Sequence, residues 1–184
     1  MQAETVEATT RKHTRTSSDV LVDYANFGDT EGLKRDLEGE EDVERRNRHG
    51  YTLLMHSARG GHADTVRLLI SLKADVDASD FRGNSALIHS CYGGHKETVR
   101  TLVEECKASV NFRNHSGDTA LRIASEYNHL ACVKYLVEEA RADVNMRGSD
   151  GNLPIDVAAK RKHDETVKYL ASFQPVMNIS YSST

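Results

Sequence analysis

Several residue types and segment types are scarce in this chain, and each absence excludes a class of protein. The 184 residues include only two prolines and no tryptophan, a composition that suits a helical chain with short turns. Apolar runs are only a few residues long, so no segment is predicted to cross a membrane. The N-terminal residues contain no apolar stretch of the kind that secretory signal peptides carry.

The chain also has few cysteines, and its acidic residues outnumber its basic residues. Three cysteines, Cys91, Cys106 and Cys132, form an odd and scattered set, which indicates a reducing compartment rather than a disulfide framework. We therefore expect a cytoplasmic or nuclear location. The formal net charge is -4 and the pI is about 6.1, which argues against a general nucleic-acid binder. The length suffices for one ordinary domain.

The chain does contain an internal repeat. Four types of residue recur in phase, in columns of glycine (Gly50, Gly83, Gly117, Gly151), histidine (His62, His95, His129, His163), valine (Val66, Val99, Val133, Val167) and leucine (Leu69, Leu102, Leu136, Leu170). In every column the successive members lie 33, 34 and 34 residues apart. A fixed period of this length is the signature of a stacked repeat architecture.

Each repeating unit combines a turn with two short helices. A polar, glycine-bearing stretch such as 80–84 predicts a turn, and the Thr or Ser that follows suits a helix N-cap. The first helical run ends at Gly60-Gly61 or its equivalent. A second helix starts near the histidine column, with an apolar stripe at i, i+3 and i+4 such as Val66, Leu69 and Ile70.

This skeleton, G-x-T-x-L…A…G-H-x-x-x-V-x-x-L-[LIV]…A-D-V-[ND], resembles the ankyrin repeat. The resemblance implies an α-class repeat solenoid: a stack of antiparallel helix pairs with short β-hairpin or turn fingers. It places repeats at about 17–46, 47–79, 80–113, 114–147 and 148–173, with polar caps at both ends. Residues 1–16 and 174–184 are polar and without period, so we expect disordered tails around a self-contained domain.

Two repeats depart from the family pattern in length. The repeats at 80–113 and 114–147 each carry one extra residue, near Cys106-Lys107 and Ala140-Arg141. In the middle of a helix, one extra residue would rotate the downstream face by about 100°. Here it follows the apolar stripe of the second helix, so we predict that the stripe keeps facing the core.

A second departure concerns the family's Thr-Pro-Leu-His motif. The histidine position of this motif holds Met55, Ile88, Arg122 and Asp156 here. In the family that histidine usually ties the opening turn of a repeat to its neighbour. Each hydrogen bond contributes about 0.5–1.5 kcal/mol to the stability of a fold. Because this histidine is absent, we expect the fold to be only modestly stable.

Two nearly matching segments, His56-Ser-Ala-Arg-Gly-Gly-His62 and His89-Ser-Cys-Tyr-Gly-Gly-His95, raise the question of a metal site. Zinc needs ligand nitrogens about 2.0–2.1 Å from one ion, whereas neighbouring helices lie about 8–10 Å apart. The column that begins with His62 therefore predicts structural hydrogen bonds rather than metal ligands. For His56 and His89, packing or turn contacts and contact with a partner both remain open.

The sequence shows no motif for catalysis or for a cofactor. Residues 143–148 imitate a calcium loop, but Arg147 stands where a ligand belongs and Pro154 stands in place of the bidentate Glu. There is no G-x-S-x-G elbow, no P-loop and no G-x-G-x-x-G. Cys91 falls in a column of Ala and Ser, which indicates a small core residue. We expect no enzyme activity, no metal and no cofactor.

The family resemblance leaves the surface as the place for function. Ankyrin-repeat proteins usually bind partners on a concave face made of the finger tips and the exposed side of the first helix. The matching positions here are Arg48, His49, Tyr51, Arg59, Phe81, Arg82, Tyr92, Arg113, His115, Asp118, Glu126, Tyr127, Arg147 and Lys160. Arginine and aromatic residues are enriched at binding hot spots, which favours an acidic segment of a protein as partner. Finger tips that are polar only because they are solvated remain the alternative.

The leading functional hypothesis is a non-catalytic protein–protein interaction module, acting as adaptor, scaffold or regulator and monomeric on its own. We expect no membrane, nucleic acid or small-molecule substrate among its partners. The alternative is a stoichiometric enzyme inhibitor resembling the small ankyrin-repeat inhibitors of cyclin-dependent kinases. Those inhibitors have an abbreviated helix in the second repeat, whereas residues 52–58 are full length here. An enzyme or metalloprotein built from repeats is a third class, which metal analysis would distinguish.

Overall fold

The computed structural model describes residues 17–37 and 43–173, so both predicted tails lie outside the described residues. Within those ranges ten α-helices follow one another: α1 (Ser17–Phe27), α2 (Thr30–Asp36), α3 (Leu53–Gly60), α4 (Ala63–Ser71), α5 (Ala86–Gly93), α6 (Lys96–Arg100), α7 (Ala120–Glu126), α8 (Leu130–Glu138), α9 (Pro154–Lys160) and α10 (Asp164–Ala171). Helix α6 continues directly into a π-helix over Thr101–Glu105.

The helices pair in chain order and stack in two layers. The first-helix layer consists of α1, α3, α5, α7 and α9, each packed against the next. The second helices follow the same order, with α2 against α4 and α8 against α6 and α10. The apolar residues between the layers form one continuous core that includes Ala58, Val66 and Leu69, each fully buried. The predicted stack of helix pairs is confirmed.

The fingers between successive pairs are turns, one of the two forms that the sequence allowed. Within the part of the chain that the structure describes, strand-like pairing is limited to an isolated antiparallel bridge between Ser79 and Ser85. Three of the four turns are closed by a side chain, as when Asp80 Oδ1 accepts the N–H groups of Arg82 and Asn84 at 2.8 and 2.9 Å. Asn47 and Asn114 close their own turns in the same way.

The repeated histidine joins each helix pair to the preceding one. The Nε2 atoms of His62, His95, His129 and His163 bond to the backbone carbonyl oxygens of Asn26, Arg59, Tyr92 and Glu126, at 2.8, 3.0, 3.2 and 2.9 Å. A carbonyl oxygen only accepts, so Nε2 carries the proton in each ring. The predicted structural hydrogen bonds are therefore present, and they connect neighbouring repeats.

Other residues replace the histidine that the Thr-Pro-Leu-His motif lacks. Met55 Sδ accepts the N–H of Thr52 at 3.4 Å, and Asp156 Oδ2 accepts the N–H of Leu153 at 2.9 Å. Beside Ile88, the next residue supplies the bond, because His89 Nε2 donates to Asp80 at 3.0 Å. At the remaining position Arg122 pairs with Asp118 and Asp150. The positions that lack the histidine are therefore still tied by hydrogen bonds or ion pairs, and the expected modest stability stays a prediction.

The extra residue of the two longer repeats is absorbed at the end of the second helix. In the shorter repeat the N–H of Ala74 bonds to the carbonyl of Leu69, five residues back, at 3.0 Å. In the longer repeats Ala108 and Ala142 bond to the carbonyls of Leu102 and Leu136, six residues back. Leu102 and Leu136 remain fully buried. The apolar stripe therefore keeps facing the core, as predicted.

We expect Gly61→Ala to destabilise the fold more than Gly151→Ala. The two glycines have φ of 83° and 76°, so a side chain at either strains the backbone by about 1–2 kcal/mol. A Cβ at Gly61 would lie 2.5 Å from His95 Nδ1, whereas at Gly151 nothing lies within 4 Å. Thermal unfolding measures the difference, and the excess at Gly61 should shrink in a His95→Ala background. Equal losses of Tm at both positions would contradict the steric argument.

The ring of His56 is held in its neutral form. Its Nδ1 lies 2.9 Å from Asn26 Oδ1 and its Nε2 lies 3.2 Å from Asn47 Nδ2. Asn47 Oδ1 already accepts two backbone N–H groups, so the amide nitrogen faces the ring and donates to it. Protonation of Nε2 would remove this bond. Burial, followed by the neighbouring His89 and Arg59, accordingly lowers the pKa of His56 to about 4.

We therefore expect His56 to make the fold less stable as the pH falls. An unfolded chain takes up this proton near pH 6.5, whereas the folded chain takes it up only near pH 4. The contribution of His56 is thus fully present above about pH 6.5 and is lost between about pH 6.5 and 4. Thermal unfolding over this range should show a smaller decline of Tm for His56→Gln than for the native chain. Parallel curves for the two proteins would refute this assignment.

Candidate functional site

The finger turns and the exposed side of the first-helix layer together form one surface, the inner face. Three clefts lie on this surface. The aromatic cleft, of about 240 Å³, is lined by Tyr51, Arg59, Arg82, Asn84, Tyr92 and Tyr127. The acidic cleft, of about 500 Å³, is lined by His115, Ser116, Asp118, Arg122, Glu126, Ser149 and Asp150. The terminal cleft, of about 280 Å³, is lined by Arg122, Glu126, Asp150, Val157, Lys160 and Arg161.

The aromatic cleft is built from side chains that contact one another across repeats. The rings of Tyr92 and Tyr127 meet edge to face at 5.1 Å between centroids, and Tyr51 lies 4.5 Å from the buried ring of His89. The guanidinium of Arg59 lies 5.9 Å from the centroid of the Tyr92 ring. These contacts hold the aromatic rings in fixed positions around the cleft.

The phenol of Tyr92 is a proton donor at neutral pH. Burial raises its pKa to about 12, and the neighbouring Tyr127 and Asp118 add to this effect. A group with this pKa keeps its proton throughout the physiological range. The aromatic cleft therefore has hydroxyl donors beside its two arginines, and Tyr92 itself is uncharged.

The two guanidiniums of the aromatic cleft are not neutralised by direct pairing with another side chain of residues 17–37 and 43–173. Neither the Arg59 nor the Arg82 guanidinium has a hydrogen bond or ion pair there. Elsewhere the arrangement differs: Arg67 binds Glu105 at 2.8 Å, and Arg161 binds Glu126 at 2.7 Å. Two guanidiniums in one cleft thus keep their hydrogen-bonding capacity for another molecule.

The acidic cleft has the opposite balance. Arg122 is buried and donates to the carboxylates of Asp118 and, at 2.5 Å, Asp150. Glu126 is the third carboxylate of this cleft and pairs with Arg161 at 2.7 Å, so three carboxylates meet two guanidiniums. Burial raises the pKa of Asp118, although the charge of Arg122 opposes this shift. The inner face therefore changes sign from one cleft to the next.

A buried chain of hydrogen bonds, the polar chain, connects the two clefts from beneath. It starts where His89 Nε2 and Asn84 Nδ2 donate to Asp80 Oδ2, at 3.0 and 3.1 Å. Asn114 Nδ2 then donates to Asn84 Oδ1 at 2.8 Å, and the N–H of Asp118 donates to Asn114 Oδ1 at 2.8 Å. From Asp118 the chain continues through Arg122 to Asp150. Cleft residues from three successive repeats are thereby fixed relative to one another.

Charge at the start of the polar chain is fixed by its hydrogen bonds. Burial works to raise the pKa of Asp80, but hydrogen bonds from His89, Asn84 and Arg82 outweigh burial and lower the pKa. Asp80 is therefore ionised at neutral pH. Because its oxygens already accept these bonds, it is not free to neutralise a ligand in the cleft.

The structure brings some predicted site residues together and separates others. Tyr51, Arg59, Arg82, Tyr92 and Tyr127 share the aromatic cleft, His115, Asp118 and Glu126 share the acidic cleft, and Lys160 lines the terminal cleft. The remaining predicted residues, Arg48, His49, Phe81, Arg113 and Arg147, are exposed on the fingers, outside the linings of these clefts.

Three of those finger arginines hold the fingers themselves. Arg48 Nε donates to the ring of His49 at 3.0 Å. Arg113 donates to the carbonyl of Arg147 at 2.8 Å, and Arg147 donates to the carbonyl of Gly151 at 2.7 Å. Their donors are thus partly used within the protein, unlike those of the two arginines in the aromatic cleft.

Sequence reasoning missed Phe27, Arg122 and Arg161 as residues of this surface. Phe27 is the most exposed of the large hydrophobic side chains in the described residues, at 78%. It precedes Gly28, as Gly60 precedes Gly61 in the following repeat. Its column contains Tyr127 and Arg161 in later repeats, and this register was the signal that could have identified both Phe27 and Arg161.

The described residues offer little for other kinds of chemistry. No group of three or more His, Cys, Asp and Glu side chains in those ranges is arranged to hold a metal ion. Burial raises the pKa of Cys91, and it raises the pKa of Cys132 to about 11, so both thiols stay protonated at neutral pH. None of the described helices combines the length and apolar character needed to span a bilayer.

Comparison with known proteins agrees with this architecture. The family model described as "Ankyrin repeats (3 copies)" matches residues 21–114 and 106–180. No curated protein matches the chain. Each match covers three copies, so the count of five repeats stays a prediction. Ankyrin-repeat domains are typically interaction modules without catalytic activity and generally mediate protein–protein interaction. The family match spans most of the chain, and the chain belongs to the ankyrin-repeat family.

Proposed function

We propose that this protein is a non-catalytic binding module whose inner face takes a segment of a partner protein. The observation that carries the proposal is the aromatic cleft, where three tyrosines surround Arg59 and Arg82. Tyrosine and arginine are the side chains most enriched at binding hot spots. A stack fixed by hydrogen bonds between repeats also loses little conformational entropy when a partner docks.

Exposed apolar side chains on the same side support the proposal. Phe81 on a finger is 68% exposed and Tyr127 in the aromatic cleft is 49% exposed. Phe27, at the end of the first helix of its pair, is more exposed still. Large apolar groups that remain in water are typical of surfaces that become covered in a complex.

The biological role that fits such a module is that of an adaptor, scaffold or regulator, acting as a monomer until it binds. Its proposed location is a reducing compartment, the cytoplasm or the nucleus. What supports this location is the state of the cysteines, since Cys91, Cys106 and Cys132 are all free.

No specific observation favours the alternative of a kinase inhibitor. The small ankyrin-repeat inhibitors of cyclin-dependent kinases have an abbreviated helix in their second repeat, whereas the equivalent helix here, Leu53–Gly60, is full length. Helix α3 and its equivalent α5 both contain eight residues. We therefore retain the general binding function as the proposal.

The test is whether partner capture depends on the aromatic cleft. The protein would be immobilised and incubated with a lysate of its own source, and the captured proteins would be quantified by mass spectrometry. We expect proteins that the native chain retains to be lost at least about tenfold by an Arg82→Glu, Tyr127→Ala variant, since truncating a hot spot weakens binding by about 2 kcal/mol or more. Both substituted residues are exposed, so the fold should tolerate the changes.

Lys96→Glu is the matched control. Lys96 is exposed at the start of α6, in the second-helix layer, and an acidic residue is favourable at a helix N-terminus. This variant should retain the same proteins as the native chain. If all three proteins retain the same set, and thermal unfolding shows that all are folded, the inner face is not the binding surface.

A further inference from the structure

The charge pattern of the inner face identifies the chemistry of the segment that it takes. Arg59 and Arg82 give the aromatic cleft two positive charges, with no carboxylate in its lining. The acidic cleft holds three carboxylates, of which Asp118 and Asp150 pair with Arg122 and Glu126 pairs with Arg161, so carboxylates outnumber guanidiniums by one. A partner complementary to both clefts carries charges of opposite sign at two defined places.

We propose that the inner face binds a segment of a partner protein that places an aspartate or glutamate between Arg59 and Arg82 and a lysine or arginine in the acidic cleft. This inference rests on the proposed function and adds the identity and the order of the charges. The planar guanidinium of an arginine matches the geometry of a carboxylate, and two guanidiniums together can bind both carboxylate oxygens. The phenol of Tyr92, protonated at neutral pH, supplies a further donor in the same cleft.

The cleft suits a carboxylate better than a phosphate. Phosphate sites commonly use several backbone N–H groups that point toward one position. The finger beside the aromatic cleft has such groups at Arg82 and Asn84, but Asp80 Oδ1 accepts both, at 2.8 and 2.9 Å. The donors that remain are the two guanidiniums and the phenols. They match one negative charge held against aromatic surface.

The tyrosine rings around the aromatic cleft also indicate which residues flank the acidic residue in the partner segment. Tyr51, Tyr92 and Tyr127 border the two arginines, and their rings are held by contacts with His89 and with each other. Apolar or aromatic neighbours of the acidic residue would cover these rings. The expected segment therefore has an isolated acidic residue among apolar ones, rather than a run of acidic residues.

The spacing between the two charges follows from the stack. The two arginines of the aromatic cleft belong to the repeats at 47–79 and 80–113, and the carboxylates of the acidic cleft belong to the repeats at 114–147 and 148–173. The two sets of charges are therefore offset by two repeats, at about 10 Å per repeat. An extended chain advances about 3.3 Å per residue, so about six residues separate the acidic from the basic position in the partner. This spacing distinguishes the proposal from unspecific attraction between charged surfaces.

Selection from a displayed library of random dodecapeptides tests the proposal with no need for a known partner. The native protein should enrich peptides with Asp or Glu about six residues from Lys or Arg. Arg59→Glu, Arg82→Glu should lose the acidic preference while the basic preference remains, and Arg59→Gln, Arg82→Gln should do the same if the charge reversal disturbs folding. Lys96→Glu should select the same peptides as the native protein.

Asp150→Asn provides the reciprocal test. Asp150 lies in the acidic cleft and its side chain is about half exposed, at 49%, and Asp118 still pairs with Arg122 in this variant. The basic preference should weaken while the acidic preference stays. For one selected peptide, replacing its acidic residue by the matching amide should weaken binding to the native protein at least about tenfold, and binding to the Arg59→Gln, Arg82→Gln protein less than about twofold.

Each outcome decides between the two proposals. Selected peptides without an acidic residue, or an acidic preference unchanged in both double variants, overturn the inference about charge. If such peptides still need Tyr127 for binding, the proposed binding function stands without it. If the native protein selects no peptides on this face, both proposals fail.

Discussion

The arrangement of the whole molecule depends on one contact that is repeated four times. In each case the imidazole at the start of α4, α6, α8 or α10 bonds to a carbonyl near the end of the first helix of the preceding pair. The four Nε2–oxygen distances, from 2.8 to 3.2 Å, show that this contact is the same at every joint. Apolar packing alone is non-directional and would allow neighbouring helix pairs to slide. A directed hydrogen bond fixes the offset between repeats, and glycine at positions such as Gly61 leaves room for the ring. The clefts of the inner face have a defined shape because these offsets are fixed.

The finger turns apply the same principle at a second place. Asparagine and aspartate side chains close three of the four turns, and Asn84 and Asn114 link one turn to the next at 2.8 Å. The side chains that line the clefts thus stand on a hydrogen-bonded base rather than on flexible loops. This explains how short turns with little strand pairing can still present arginine and tyrosine side chains in fixed positions.

Much of the fold could be predicted from the sequence because a repeat imposes the same physical demands several times over. The columns of His62 and Leu69 revealed the period, and the family resemblance supplied the helix pairs and the inner face. The location of the extra residues also followed, since a helix end tolerates an insertion that its middle does not. The replacement of the missing histidine could not be predicted, because Met55, Asp156 and Arg122 use unrelated chemistry to satisfy neighbouring groups.

The candidate site was predicted less completely, for a physical reason. The position of a residue within its repeat indicates whether it lies on the inner face. It does not show which charged side chains pair with one another. The sequence placed Arg113 and Arg147 on the finger tips together with Arg82, yet the structure has them bonded to finger carbonyls. Arg122 occupied a column that belongs to a structural histidine, so it gave no indication that it would join two carboxylates beneath the acidic cleft.

The polar chain from His89 to Asp150 has a consequence for the length of the stack. Each repeat of a solenoid contacts only its neighbours, but this chain passes through three of them without interruption. A protein shortened by its last repeat would keep every side chain of the aromatic cleft. It would nevertheless lose one of the two carboxylates that hold Arg122, and with it part of the support that reaches Asn84. The number of repeats and the rigidity of a distant cleft are therefore linked, so selection for recognition also acts on the size of the array.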